Sequence, residues 1–294
     1  MRMTLVMGIL NMTPDSFWEP SRGNLAILDS GADIIDIGAV STRPGAADVP
    51  EEEEWRRLEP VIQLLSRRDY KGKTLKDSKG NPSDDARERC GAEVLPSGPG
   101  VFLPGTGGTP QRDGLTTKEL TISIDTTRSG IVRRVREALG RPFIVNDITA
   151  GRDDPEMLDT VAELGLPYIA MHSRGNPRTM DSLTEYPDGV VEGVLEFFEE
   201  FAETACAKGI SDWILDPGFG FAKTEEQNLE LLRSLERFRR FGRPILVGIA
   251  DKRFTRGETE KMHREALAHG ADILRVHDVA AIRRTMQGLR PDCP

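Results

Sequence analysis

Short apolar runs recur along this chain, and each leads to a polar residue able to do chemistry. Residues 4–10 lead into Asn11, 32–35 into Asp36, 120–124 into Asp125 and 143–145 into Asn146. Four more follow: 167–171 into His172, 213–215 into Asp216, 244–249 towards Lys252, and 273–274 into Arg275 and on to His277. Runs this short, bounded by turn residues, suit strands buried on both faces. Helical spacing fills most of the gaps, at about 51–65, 129–139, 156–164, 190–208, 224–241, 258–269 and 279–289. Alternating strand and helix predicts a parallel sheet. Eight such units close into a (β/α)8 TIM barrel, an α/β fold whose chemistry sits at the C-terminal strand ends. The polar residues fall there, which is an enzyme pattern.

Two stretches break the rhythm. After the first strand, only a short helical segment near 25–30 follows the loop at 12–22, leaving little helix for a first β-α unit. The second break, about residues 66–118, holds nine glycines and five prolines and has little periodicity. It reads as a flexible insertion between the second helix and the third strand, on the barrel face away from the chemistry. Its Gly-Thr-Gly-Gly run, 105–108, lacks a preceding strand and a following Gly-Lys-Ser/Thr, so it reads as linker and not as a phosphate loop. The chain thus reads as one barrel domain over 1–294, interrupted there.

Charge and cysteine content narrow the function. An excess of 48 acidic over 39 basic residues, a net charge of −9, speaks against a general nucleic-acid or membrane-surface role. It leaves room for an anionic small substrate held by local Lys and Arg. Cys90, Cys206 and Cys293 form neither a C-x-x-C pair nor a disulfide framework, which favours a reducing cytoplasm. No apolar run approaches the length of a membrane span. A homodimer is compatible with the sequence.

Asp125, Asn146 and Asp216, converging at a barrel mouth, offer two carboxylates and an amide. Such a set suits a flat nitrogen heterocycle such as a pterin or purine. Each taken singly also fits a cap of the next helix or turn. Lys252, Arg275 and His277 follow strands seven and eight, where phosphate sites of this fold are frequent. Arg275 interrupts a buried-looking strand, which a solvated surface charge would not do. The loops Asn11-Met-Thr-Pro-Asp15 and Ser41-Thr-Arg-Pro-Gly45 bring oxygen or amide groups beside a stiffening proline, and suit Mg²⁺ shared with a phosphorylated substrate. His172 fits a site residue or a satisfied rim histidine equally well.

Several motifs now carry a resemblance. Met7-Gly-Ile-Leu-Asn-Met-Thr-Pro-Asp-Ser-Phe17, Gly31-Ala-Asp-Ile-Ile-Asp-Ile-Gly38 and Ser41-Thr-Arg-Pro-Gly-Ala46 resemble the dihydropteroate synthase family. So do Ile122-Ser-Ile-Asp-Thr126, Asn146-Asp-Ile148, Leu215-Asp-Pro-Gly-Phe-Gly-Phe221 and Ile273-Leu-Arg-Val-His-Asp-Val279. They keep order over nearly the whole chain outside the insertion. The resemblance implies condensation of 6-hydroxymethyl-7,8-dihydropterin pyrophosphate with p-aminobenzoate, giving 7,8-dihydropteroate and pyrophosphate. Carried over by position, it implies that Asp125, Asn146, Asp216 and Lys252 hold the pterin and that Arg275 stacks on it. Asp125, Asp216 and Lys252 would be the catalytic set. Thr42, Arg43 and His277 would contact pyrophosphate, and Asn11 would help hold Mg²⁺. Pro44, Phe221, Lys252 and Arg253 would border the p-aminobenzoate pocket, where sulfonamides compete.

The chain departs from that pattern in several places. Ala250-Asp-Lys-Arg253 stands for the family's Ser-Arg-Lys-Ser, so Arg253 replaces a serine at the p-aminobenzoate edge and is expected to crowd it. Glu19 replaces an aspartate, and Ala222 a glycine whose loss is expected to restrict the backbone. The first helix and the segment 253–269 are shorter than the family's, which is expected to leave strands uncovered. Two other readings remain: a corrinoid-linked methyltetrahydrofolate methyltransferase, which shares the pterin-binding barrel, and a pterin-binding protein impaired in catalysis.

Overall fold

A computed structural model describes residues 4–13, 25–41, 49–67, 120–175, 179–250 and 252–288. Thr42, Arg43, Pro44, Glu19 and Asp251 lie outside the described residues, as does nearly all of the Gly/Pro-rich stretch.

The eight apolar runs are eight parallel strands: β1 (Leu5–Asn11), β2 (Ile34–Gly38), β3 (Thr121–Asp125), β4 (Ile144–Asp147), β5 (Tyr168–Met171), β6 (Trp213–Asp216), β7 (Leu246–Val247) and β8 (Ile273–Val276). They hydrogen-bond in the order β6-β5-β4-β3-β2-β1-β8-β7, and a bridge between Leu215 and Ile245 joins the two ends. The sheet is therefore a (β/α)8 barrel, nearly closed, with its weakest seam at the two-residue β7. Among the described residues, seven α-helices wrap it: α1 (Glu51–Ser66), α2 (Ser129–Leu139), α3 (Met157–Leu164), α4 (Val190–Ala207), α5 (Glu225–Arg233), α6 (Thr259–Ala268) and α7 (Val279–Gln287).

Two sequence expectations need correction. The single helix expected over 224–241 is α5 followed by a three-residue-per-turn helix, Leu235–Phe241. The apolar stripe expected along it is divided between the two: Leu229 and Leu232 lie in α5, Leu235 and Phe238 in the 3-10 segment. Nor do the short connections leave strands bare. In β1 every residue from Leu5 to Leu10 is buried, because Ile27 and Leu28 of a 3-10 turn and Val279 of α7 close over it. Phe254, Met262 and Ala266 are likewise buried in one apolar cluster with Val247 of β7 and Leu274 of β8.

Inside the barrel, Leu5, Met7, Ile34, Ile144, Ile169, Ile214, Leu246 and Ile273 form a separate buried cluster. Side chains two residues apart on a strand share a face. Asp36, Asn146, Asp216 and Arg275 thus stand one step above Ile34, Ile144, Ile214 and Ile273, and Asp125 stands one step above Ser123. The barrel has an apolar floor and, directly above it towards the C-terminal strand ends, a polar layer.

Candidate active site

The polar layer is wired together across strands that are distant in sequence. Arg275 Nε donates to Asp36 Oδ2 at 2.7 Å and its Nη2 donates to Asp125 Oδ2 at 2.9 Å. Asn146 Nδ2 donates to the same Asp36 oxygen at 3.1 Å. One half-buried arginine thus spans two carboxylates, and β2, β3, β4 and β8 are joined through side chains as well as backbone.

Burial at a crowded acidic centre shifts these groups. It pushes Asp125 up to about 7; Arg275 pulls the other way, while Asp36, Glu54 and Asp147 add to the rise. Burial also lifts Asp216 to about 6, against the Gly218 N–H it accepts at 2.8 Å and the nearby cations Arg275, Lys252 and Lys223. For Arg275, burial disfavours the cation, but Asp36 and Asp125 outweigh it and hold the guanidinium above its ordinary range. Carboxylates poised near neutral pH in a strand-end layer are where function is expected.

The loop after β6 supplies one wall. Gly218 and Gly220 have φ of +71° and +76°, which lets the chain fold back and put Phe221 beneath Lys252. Lys252 Nζ lies 4.4 Å from the Phe221 ring centroid, a cation–π contact that joins two sequence-named residues. Ala222 follows at φ +49°, the left-handed conformation that a glycine would adopt without strain, so the expected restriction falls on this backbone. Arg253 opens a 3-10 turn, Arg253–Thr255, and is exposed, whereas its neighbour Phe254 is buried against Phe219. An exposed side chain does not fill a pocket, so crowding by Arg253 is not what this geometry favours.

His277 is half-buried directly after β8, next to Asp278, whose carboxylate caps α7 by accepting from Ala281 N at 2.8 Å. Its place beside a helix N-terminus suits an anion. Asn11 closes β1 opposite Gly38 of β2. No group of three His, Cys, Asp or Glu side chains able to hold a metal occurs among the described residues. A lone amide oxygen at a strand end still fits Mg²⁺, which is commonly held by one or two protein groups with substrate phosphate and water completing the shell.

Two residues escaped the sequence reading of the site. Asp36 was visible as a strand-end carboxylate, but nothing in its own neighbourhood marks it as the group that receives both Arg275 and Asn146. Lys223, buried, donates to the carbonyls of Gly218 and Phe221 at 3.0 Å each and lies 2.9 Å from His172 Nδ1. Burial brings its pKa down to about 7, Asp216 opposing. The same contact answers the question of His172: it is a buried histidine held well below its usual pKa by burial and by Lys223, Arg152 and Arg174, packed edge-on against Phe197. Together they anchor the loop that carries Phe221. The one local signal for Lys223 is a lysine ending a glycine-rich apolar run.

Comparison with known proteins fits this geometry. A family model described as "Pterin binding enzyme" matches residues 7–73 and 112–277, leaving out a stretch within the Gly/Pro-rich segment. The dihydropteroate synthase of Synechocystis sp. is 36% identical over 304 residues, covering 96% of this chain and 87% of that protein. The Escherichia coli K12 enzyme is 33% identical over 307 residues, with 97% and 89% covered. Among solved structures, Yersinia pestis dihydropteroate synthase in a sulfonamide drug complex superposes with a TM-score of 0.74 at 30% identity, covering 97% of this chain and 92% of that one. The Xanthomonas albilineans enzyme with 4-aminobenzoic acid gives 0.69 at 30% identity, covering 98% and 94%. The chain belongs to the dihydropteroate synthase family of pterin-binding enzymes, transferases of folate biosynthesis.

Proposed function

We propose that the protein joins 6-hydroxymethyl-7,8-dihydropterin pyrophosphate to p-aminobenzoate and releases pyrophosphate. The observation that carries this is the wired polar layer of Asp36, Asp125, Asn146 and Arg275, with Asp216 beside it, on an apolar floor. It matches a flat ring whose rim alternates N–H donors and acceptors. In this reading Asp125, Asn146, Asp216 and Lys252 bind the pterin, and Arg275 lies against its face. Thr42, Arg43 and His277 take the pyrophosphate, and Pro44, Phe221, Lys252 and Arg253 border the p-aminobenzoate.

The C–O bond between the pterin methylene and pyrophosphate breaks, and the leaving group takes the electron pair. Arg43 and His277 neutralise the charge that develops on it, and Mg²⁺ held with Asn11, when bound, adds Lewis-acid neutralisation of the same charge. Asp125 and Asp216, ionised, stabilise the electron-poor pterin. The aryl amine of p-aminobenzoate then forms the new C–N bond and sheds one proton. No covalent bond to the protein is needed.

Purified protein incubated with both substrates and Mg²⁺ is expected to form 7,8-dihydropteroate and pyrophosphate in equal amounts, measured by chromatography and a phosphate assay. Pterin binding without pyrophosphate release would instead mark a binding protein. With Arg253 exposed and so not filling the pocket, Arg253→Ser is expected to change the KM for p-aminobenzoate by less than about threefold. A fall of tenfold or more would restore the crowding reading. No helix among the described residues is long and apolar enough to cross a membrane; a reducing cytoplasm is the setting that the scattered cysteines support in this reading. Sedimentation of the purified protein decides whether it works as a homodimer.

A further inference from the structure

We propose that Asp36 is a positioning residue for pterin recognition: from its fully buried place within the polar layer it dictates which way round the Asn146 amide faces and holds the Arg275 guanidinium in place. The inference rests on the pterin reading given above. Asp36 is completely buried, and its Oδ2 accepts both Asn146 Nδ2 and Arg275 Nε. Its Oδ1 is buried and has no hydrogen-bond partner among the described residues; nor has Ser123 Oγ, on the residue paired with Asp36 across the β2–β3 ladder. A carboxylate kept for structure alone would be expected to fill both oxygens, and an apolar side chain would avoid the cost of the spare one. What Asp36 does through Oδ2 must therefore account for its presence.

An ionised carboxylate only accepts hydrogen bonds, whereas an amide side chain donates from nitrogen and accepts at oxygen. With Asp36 beside it, Asn146 has to turn its NH₂ towards β2, which leaves Oδ1 on the opposite side as a fixed acceptor for a ring N–H. Arg275 is fixed in the same way, since Nε points to Asp36 and Nη2 to Asp125. Asp36, itself fully buried, thus sets the donor and acceptor order of the groups beside it in the layer. Asparagine at position 36 would keep shape and volume, but its amide would tolerate Asn146 in either orientation and would not hold Arg275 by charge.

The test uses the full chain and 6-hydroxymethylpterin as the probe, with binding followed by calorimetry. Asp36→Asn is expected to weaken the pterin about tenfold or more, the effect of losing a charge-assisted contact, while the KM for p-aminobenzoate moves by less than about twofold. In an Asn146→Ala background the same substitution should weaken pterin binding distinctly less, because one partner of the coupling is already gone.

A pH profile separates this from a general loss of fold. Asp125 faces Arg275 of β8, Asp36 of β2, Glu54 of α1 and Asp147 of β4. Removing the charge of Asp36 takes away an acidic neighbour, so the acid limb of pterin binding should move to lower pH. If Asp36→Asn fails to fold, the parent still decides. Its selectively labelled Asn146 side-chain NH₂ should resist hydrogen exchange in the free protein, and exchange as fast as that of an exposed asparagine overturns the proposal. Parent-like pterin affinity in Asp36→Asn, or strict additivity with Asn146→Ala, also overturns it and leaves the pterin site standing. A parent that does not bind the pterin overturns both.

Discussion

Two positions in the loop after β6 show how differently one backbone conformation constrains its residues. A Cβ added at Gly218 would lie 1.9 Å from the carbonyl oxygen of His172, and φ there is +71°. Gly218→Ala is therefore expected to lose roughly 2–4 kcal/mol, read by denaturant melting, and to displace the N–H that Asp216 accepts. At Ala222 the strain is already present. Glycine there would relieve about 1 kcal/mol of left-handed strain while adding roughly 0.4–1 kcal/mol of unfolded-chain entropy, so Ala222→Gly should sit within about 1 kcal/mol of the parent. A large gain would mean that Ala222 is a cost peculiar to this chain. Asp125 gives a pH prediction whose two arms oppose each other. Its folded-state pKa, about 7, lies above the ordinary 3.8. The stability it contributes is thus full below about pH 4 and is lost as pH rises through 7. Asp125→Asn should gain stability relative to the parent between pH 5 and pH 8, whereas pterin binding by the parent, which needs the carboxylate ionised, should weaken as pH falls below 7. A stability difference that does not change with pH would remove Asp125 as a buried, uphill charge.

At the scale of elements, the start of α1 is tied to the start of α2 by a buried cluster that also reaches Ala39 and Val49, which in sequence lie on either side of the stretch holding Thr42, Arg43 and Pro44. Glu54, 1% exposed in its side chain, accepts from Thr126 Oγ1 at 2.6 Å and pairs with Arg128. Arg128 also donates to the carbonyl of Val49 at 2.6 Å, and Arg57 to that of Ala39 at 3.0 Å, so arginines hold both ends of that stretch. Burial raises the pKa of Glu54 against the pull of Thr126 and Arg128. Arg128→Met strands this carboxylate and should cost about 3–5 kcal/mol, whereas Glu54→Gln leaves no buried charge and should cost clearly less. Equal losses would make the pair mere packing. None of this cluster was legible beforehand, because Glu54 reads as one of four acidic residues suited to a helix N-terminus. The strands were legible, since burial on both faces leaves few ways to write one: apolar run, polar end, turn. Asp125, Asn146 and Asp216 were legible for the same reason. Asp36 and Lys223 were not recognised as site residues, because their roles come from partners on other strands or from backbone carbonyls, which no local pattern records. The split of 224–241 was not legible, because the stripe Leu229, Leu232, Leu235 and Phe238 keeps one spacing across both the α-helical and the 3-10 part.

For the molecule as a whole, the question is what residues between α1 and β3 contribute to a barrel that is otherwise complete. The second β-α unit is intact in the described residues: α1 ends at Ser66, β3 begins at Thr121, and Ile34 of β2 stands in register with Thr121. Helix-to-strand connections in such units need only about 2–6 residues. The family match likewise stops at residue 73 and resumes at 112. The composition between them, rich in glycine and proline and without apolar period, supplies nothing that could bury a core of its own. Replacing residues 70–117 by a short Gly-Ser linker is therefore expected to keep the melting temperature within a few degrees and to leave kcat and KM unchanged. The junction lies at the N-terminal face of the barrel, opposite Asp125 and Arg275. Limited proteolysis of the parent should cut first between about Lys71 and Arg112, with the fragments remaining associated and active. A linker variant that unfolds, or one that folds but loses p-aminobenzoate turnover, would make the segment part of the barrel or of its site and would end the reading of it as an insertion.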